Sequence, residues 1–114
     1  GSWSLSQALP RPLVAQLLMT GERIGAQRLH ELGLVNQVSP TGHALDEALQ
    51  LADRLNARAP NALASIKELM NEAPGSTLPE QMARERSHFV RNLMHPNAGI
   101  GIQAFLDKKS PRYE

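Results

Sequence analysis

Apolar positions recur at helical spacing along almost the whole chain. Leu13, Val14, Leu17 and Leu18 fall at i, i+1, i+4 and i+5, which predicts one amphipathic helix running up to Thr20. Pro12 suits its first turn, where a missing N–H costs nothing, and Gly21 lies where a left-handed C-cap would end it. A shorter helix is predicted through "AQRLHEL", with Leu29 and Leu32 inward, Gly25 as its cap and Gly33 as its stop. The stretch "LVNQV" then alternates apolar and polar, so residues 34–38 read as a short strand or extended piece.

Ala44, Leu45, Ala48, Leu49, Ala52 and Leu55 share one face of the clearest helix, and Asp46, Glu47, Gln50, Asp53 and Arg54 cover the other. Pro60 restarts the chain, and Leu63, Ile66, Leu69, Met70 and Ala73 repeat the pattern before the loop "APGS". Thr77 and Glu80 have capping-box spacing. The helix they open carries Met82, Phe89, Val90 and Leu93, with Glu85 and Arg86 interrupting the stripe. "HPNAG" is expected to break it, and a last helix to run through "IGIQAFLDKK" until Pro111. The fold expected is mainly α, about six helical segments plus one short extended segment. A strand at 34–38 would have no mate in the chain, and a lone strand leaves backbone groups unmatched. Either its mate lies in a missing part of a longer protein, which is the expectation because the chain also begins without a start, or the piece is an extended connector.

Composition narrows the class. The 114 residues amount to one domain, and 41% hydrophobic content with only 4% aromatic makes Leu and Ala carry the packing, which favours helix. No apolar run approaches the roughly 18 residues of a membrane span and no charged, apolar and small-residue sequence marks a signal peptide, so the expected location is cytoplasmic, with no membrane partner. The absence of cysteine excludes disulfides, thiolate nucleophiles and Cys-based zinc sites. Twelve basic and eleven acidic residues are interspersed, for a net charge of +1, which argues against a nucleic-acid partner. The only local excess is Lys108, Lys109 and Arg112. The first residue is Gly rather than Met, so a piece of a longer chain, or a vector-derived Gly-Ser, is expected.

Catalytic chemistry is sparse. The carboxylates are spread over helix faces that read as solvated, and Asp46 and Glu47 suit the dipole at a helix N-terminus. His30, His43, His88 and His95 show no ligand pairing, and Pro96 puts His95 at or beyond a helix end, so no metal site is expected. Ser2, Ser4 and Ser6 sit in no nucleophile elbow. "GIG" at 99–101 lacks the strand-to-helix setting of a phosphate loop and reads as flexibility at a helix start. No residue of this chain is assigned a catalytic role.

Two motifs carry a resemblance. Gly1, Ser2 and Leu5, then Thr20, Gly21, Glu22, Ile24 and Ala26, then Gly33, Leu34, Val35 and Val38, follow without a gap the pattern G-[ST]-x-x-L, helix, L-x-x-T-G-[DE]-x-[IL]-x-A-x-x-A-x-x-x-G-L-V-x-x-[VI]. Near the end, Ala104, Phe105, Asp107, Lys108, Lys109, Pro111 and Tyr113 meet A-F-x-[ED]-K-[RK]-x-P-x-[FY], and Glu85 and Phe89 give a Glu-x-x-x-Phe between them. Both patterns resemble the C-terminal part of the enoyl-CoA hydratase/isomerase (crotonase) family. The departures are Leu29 for a frequent Ala and "HPNAGIG" where the family often has an acidic cluster ending in Glu-Gly.

The resemblance implies a fragment of a longer enzyme, with 1–40 ending the spiral core and 41–114 forming the C-terminal helices. Those helices would cover the active site and assemble subunits into trimers or hexamers. The substrate implied is an acyl-CoA thioester, with no separate cofactor. Two backbone N–H groups would hold the thioester oxygen as an enolate develops, and acidic residues would move protons. These groups are expected upstream of Gly1, so the isolated chain is expected to be inert. Phe105 would pack on the coenzyme A adenine and Lys108 would pair with its phosphate as a mobile point charge. Ser2 and Trp3 would lie beside the acyl pocket. Two rival readings are a self-contained helical interaction module and a small nucleic-acid binder using Lys108, Lys109 and Arg112.

Overall fold

A computed structural model describes residues 1–113. Among them are seven α-helices and one 3-10 turn: α1 (Ser2–Ala8), α2 (Arg11–Thr20), α3 (Ala26–Glu31), α4 (Ala44–Asn56), α5 (Pro60–Glu72), the turn Ala73–Gly75, α6 (Leu78–Leu93) and α7 (Pro96–Leu106). They divide into two compact units, Gly1–Ala48 and the residues from Leu49 onward. No helix of the described residues is long and apolar enough to cross a membrane.

In the first unit the expected single helix is preceded by another. Leu9 takes extended backbone (φ −130°, ψ 154°) because the following Pro10 disfavours the helical region for its neighbour. That ends α1 and starts α2 with Pro12 in its first turn. Leu9 and Val14, 6% and 4% exposed, are the buried apolar residues on the two sides of this bend. α2 ends at Gly21, whose φ is +66°. The stop is reinforced by side chains: the Thr20 hydroxyl donates to the Gln16 carbonyl at 2.7 Å and accepts the Glu22 N–H at 3.2 Å.

Residues 34–38 do not form a strand, and no strand occurs among the described residues. Their backbone is drawn back to α3 instead. Gly33 sits at φ +77°, donates to the His30 carbonyl at 2.9 Å, and lets Leu34 N–H reach the Leu29 carbonyl at 2.9 Å. This is a Schellman closure, which needs the left-handed conformation that glycine adopts without strain. His30 Nδ1 then meets the Val35 carbonyl at 3.0 Å. Further along, Gln37 Nε2 and Ser39 Oγ both donate to the Glu47 carboxylate, in the first turn of α4. α4 contains the whole predicted apolar face, Ala44 to Leu55, but Leu45, Leu49 and Leu55 are 70%, 56% and 47% exposed. Its apolar face is bare.

In the second unit α5 and α6 run antiparallel. The start of α5 bonds to the end of α6 (Asn61 to Asn92), and its end bonds to the start of α6 (Leu69 to Gln81, Glu72 to Arg84). "APGS" is partly ordered as the 3-10 turn. The break expected at "HPNAG" is present, since α6 ends at Leu93, but the last helix begins earlier than "IGIQAF". Proline at a first helical position begins a helix as readily as it ends one, and α7 starts at Pro96 with His95 as its N-cap. His95 Nδ1 accepts the Asn97 N–H at 3.1 Å. Gly99 and Gly101 therefore stand inside α7 rather than at its start, and the helix ends at Leu106, before the expected Lys109.

Candidate functional site

The tightest packing of the second unit is polar. Asn97 is 2% exposed and Ser65 6%. Asn97 Nδ2 donates to Asn61 Oδ1 at 2.8 Å, Asn61 Nδ2 to Asn92 Oδ1 at 2.7 Å, and Asn92 Nδ2 to Ser65 Oγ at 2.7 Å. Three amides and a hydroxyl thus pin α5, α6 and α7 together. Buried amides in such a chain specify one arrangement, because any shift leaves donors and acceptors unmatched in a low-dielectric setting. Sequence reasoning missed these residues. The available signal was the repeated Pro-Asn at 60–61 and 96–97, each opening a helix.

The three amides form the floor of an open groove of about 340 Å³, walled by Phe89, Leu93, Ile102 and Tyr113. Tyr113 closes one side by lying on α7: a methyl group at Gly101 would stand 3.1 Å from its hydroxyl. On the other side of the α5–α6 pair, Glu68, His88 and Arg91 form a cluster. Arg91 donates to Glu68 Oε2 at 3.2 Å and to His88 Nδ1 at 2.8 Å, and His88 Nε2 faces the same carboxylate at 3.7 Å. The acid is already held by a guanidinium at the surface, so the cluster works as an inter-helix tie rather than a proton relay. No group of three or more His, Asp or Glu among the described residues is placed to hold a metal ion.

The expected ligand residues fall on both units. Ser2 opens α1 and Trp3 follows it, 76% exposed. Phe105, in the last turn of α7, is 82% exposed. Lys108 lies just past that turn with φ +53°, the one non-glycine among the described residues with a positive φ. Its conformation closes α7 as Gly33 closes α3: Lys108 N–H bonds to the Phe105 carbonyl at 3.2 Å and Lys109 N–H to the Ala104 carbonyl at 2.9 Å. Lys109 and Arg112 line a neighbouring cleft of about 550 Å³ with Gln103 and Asp107, so the basic excess read from the sequence collects around the end of α7.

The sequence model for enoyl-CoA hydratase/isomerase matches residues 1–114. The 2,3-dehydroadipyl-CoA hydratase of Escherichia coli (strain K12) is 31% identical over 114 residues, which is 100% of this chain and 45% of that protein. The carnitinyl-CoA dehydratase of Proteus mirabilis (strain HI4320) is 32% identical over 118 residues, again 100% of this chain and 45% of the relative. Among solved structures, an enoyl-CoA hydratase from Polaromonas sp. JS666 superposes with a TM-score of 0.96 at 65% identity, covering 99% of this chain and 44% of that one. The chain thus spans less than half the length of each of these relatives.

Proposed function

The chain belongs to the enoyl-CoA hydratase/isomerase (crotonase) family, and from that premise we propose that it is the helical C-terminal part of an enzyme that hydrates or isomerises 2-enoyl-CoA thioesters. The match of the family pattern over the whole chain carries this reading. The proposed reaction passes through a thioester enolate, whose oxygen is held by backbone N–H donors aimed at the developing charge. Those donors, and the acids that move the protons, come from the rest of the protein. Nothing in the chemistry calls for a cofactor beyond the coenzyme A thioester itself.

In this reading the present chain contributes binding. Phe105 offers an exposed ring to the adenine, and Lys108 offers an ammonium to the 3′-phosphate from a backbone position that costs energy to hold. Ser2 and Trp3 border the acyl pocket, and the intact enzyme is a homo-oligomer, a trimer or hexamer. The test is kinetic. In the intact enzyme Lys108→Ala should raise KM for crotonyl-CoA and leave kcat in place, as loss of uniform binding does. The 114-residue chain alone should show no turnover. Turnover by the chain alone, or a KM indifferent to Lys108, would overturn the reading.

A further inference from the structure

The amide chain of the second unit is directional. Asn97 donates to Asn61, Asn61 to Asn92 and Asn92 to Ser65, each through Nδ2. Asn92 Nδ2 also reaches the His88 carbonyl at 2.8 Å, which ties the chain to the backbone of α6. Ser65 stands one helical turn along α5 from Asn61, so α5 is gripped at two points. α7 joins this network at one end only. Asn97 is the single buried residue of that helix and lies in its first turn, directly after Pro96. Farther along, Gln103 Nε2 bonds to Asp107 at 3.0 Å, at the end of the same helix. A hydrogen bond weakens steeply away from its preferred angle, whereas apolar burial has no direction. The Asn97 contact is therefore the part of the α7 packing that fixes an angle.

We propose that Asn61, Asn92 and Asn97 are positioning residues for the adenosine end of coenzyme A, holding α7 at the angle that presents Phe105 and Lys108 to it. The inference rests on the acyl-CoA reading given above and names the residues that act through those two. Phe105 lies eight positions beyond Asn97 on the same helix, about 12 Å along its axis at about 1.5 Å per residue. At that radius a tilt of about 5° moves the ring by about 1 Å, enough to lose a well-oriented contact. Lys108 follows the helix end, with its N–H on the Phe105 carbonyl at 3.2 Å, so its backbone travels with the ring. The reacting thioester, held by other parts of the protein, does not move with α7. A slackened amide chain therefore costs binding of the adenosine half and spares the chemical step, which is the signature of lost uniform binding.

The test compares crotonyl-CoA with crotonyl-pantetheine, which carries the same reacting thioester but lacks the adenosine phosphate half. In the intact enzyme, Asn61→Leu takes the acceptor from Asn97 and the donor from Asn92 while keeping the volume. Assayed well below its melting temperature, it should raise KM for crotonyl-CoA about tenfold at unchanged kcat and leave kcat/KM for crotonyl-pantetheine within about twofold of native. Asn97→Ala cuts the same bond from the other side, and gives the same split where the leucine variant folds poorly. Asn61→Asp keeps an acceptor for Asn97, and Asn92 can turn its amide toward the new carboxylate. The preference for the full coenzyme should then return to within about twofold of native. Phe105→Ala and Lys108→Ala test the reading beneath, and once both are in place Asn61→Leu should add nothing, because it acts through them. If those two alanines shrink the preference and Asn61→Leu does not, the positioning role is overturned and the acyl-CoA reading stands. If the alanines leave the preference unchanged, both are overturned. Equal losses of Asn61→Leu on the two thioesters, or no recovery in Asn61→Asp, also overturn the proposal, since they mark a structural role alone.

Discussion

Asn97 Nδ2 donates to Asn61 Oδ1 at 2.8 Å across 36 positions of sequence. Each is the second residue of a helix opened by proline, α7 and α5 respectively. The bond joins two helix starts, and through Asn92 it reaches the middle of α5 at Ser65. Removing the Asn97 amide takes that donor from Asn61 Oδ1, which is half-buried, and breaks the amide chain at its most buried member. Asn97→Ala is expected to destabilise the second unit by about 2 kcal/mol, within the range for an orphaned buried polar group. Urea unfolding followed by circular dichroism measures it, and a loss below about 0.5 kcal/mol would show that the amide chain does not hold the helices.

The start of α6 carries a pH dependence. The Thr77 backbone N–H donates to the Glu80 carboxylate at 2.8 Å, and the Thr77 hydroxyl does so at 2.8 Å. These two bonds, the backbone one first and Arg84 adding less, hold the Glu80 carboxyl below the usual carboxylate range. A carboxyl lowered in the folded state binds fewer protons there than in the unfolded chain, so stability rises with pH across that window. The contribution is complete above the ordinary carboxylate value and disappears as pH falls through the lowered one. Thermal melts between neutral and acidic pH should show it, and Glu80→Gln should flatten that part of the profile. An unchanged profile in the variant would remove Glu80 as the cause.

The proposed phosphate contact sets binding against stability at Lys108. Its left-handed backbone costs a non-glycine residue about 1 kcal/mol. Lys108→Gly should therefore raise the melting temperature by a few degrees, while Lys108→Ala should not. Both variants lose the ammonium, so in the intact enzyme both should raise KM for the thioester equally. A glycine variant no more stable than the alanine variant would show that the turn is unstrained.

Much of this fold is legible in the sequence because helices announce themselves locally. The 3.6-residue periodicity places α4 and α5, Thr77 and Glu80 mark the start of α6, and Gly21 and Gly33 mark the ends of α2 and α3. The misreadings share one cause: a local signal with two meanings. "LVNQV" alternates like a strand, but Leu34 N–H is drawn to the end of α3 through Gly33, and no neighbouring strand among the described residues competes for it. The stop before Pro96 is real, but a ring nitrogen of His95 supplies a cap that also lets Pro96 start α7, earlier than expected. The Asn61–Asn92–Asn97 chain depends on contacts 31 and 36 residues apart, which no periodicity reports. The left-handed state of Lys108 was equally out of reach, since lysine carries no bias toward it.

The contact between Tyr113 and α7 sets two opposing effects at one position. Glycine inside a helix costs about 1 kcal/mol relative to alanine, so Gly101→Ala should stabilise α7 by that amount if space allows. The new methyl would stand 3.1 Å from the Tyr113 hydroxyl oxygen, tighter than an ordinary contact, and 3.7 Å from the nearest ring carbon, which is ordinary. The crowding therefore comes from the hydroxyl. In the native background the two effects should nearly cancel, leaving Gly101→Ala within about 0.5 kcal/mol of neutral. With Tyr113→Phe in place the clash is gone, and the same alanine should add close to 1 kcal/mol. A double-mutant cycle by urea unfolding reads the coupling directly. Equal effects of Gly101→Ala in the two backgrounds would mean that the tail yields without cost, and that Tyr113 is not what reserves this position for glycine.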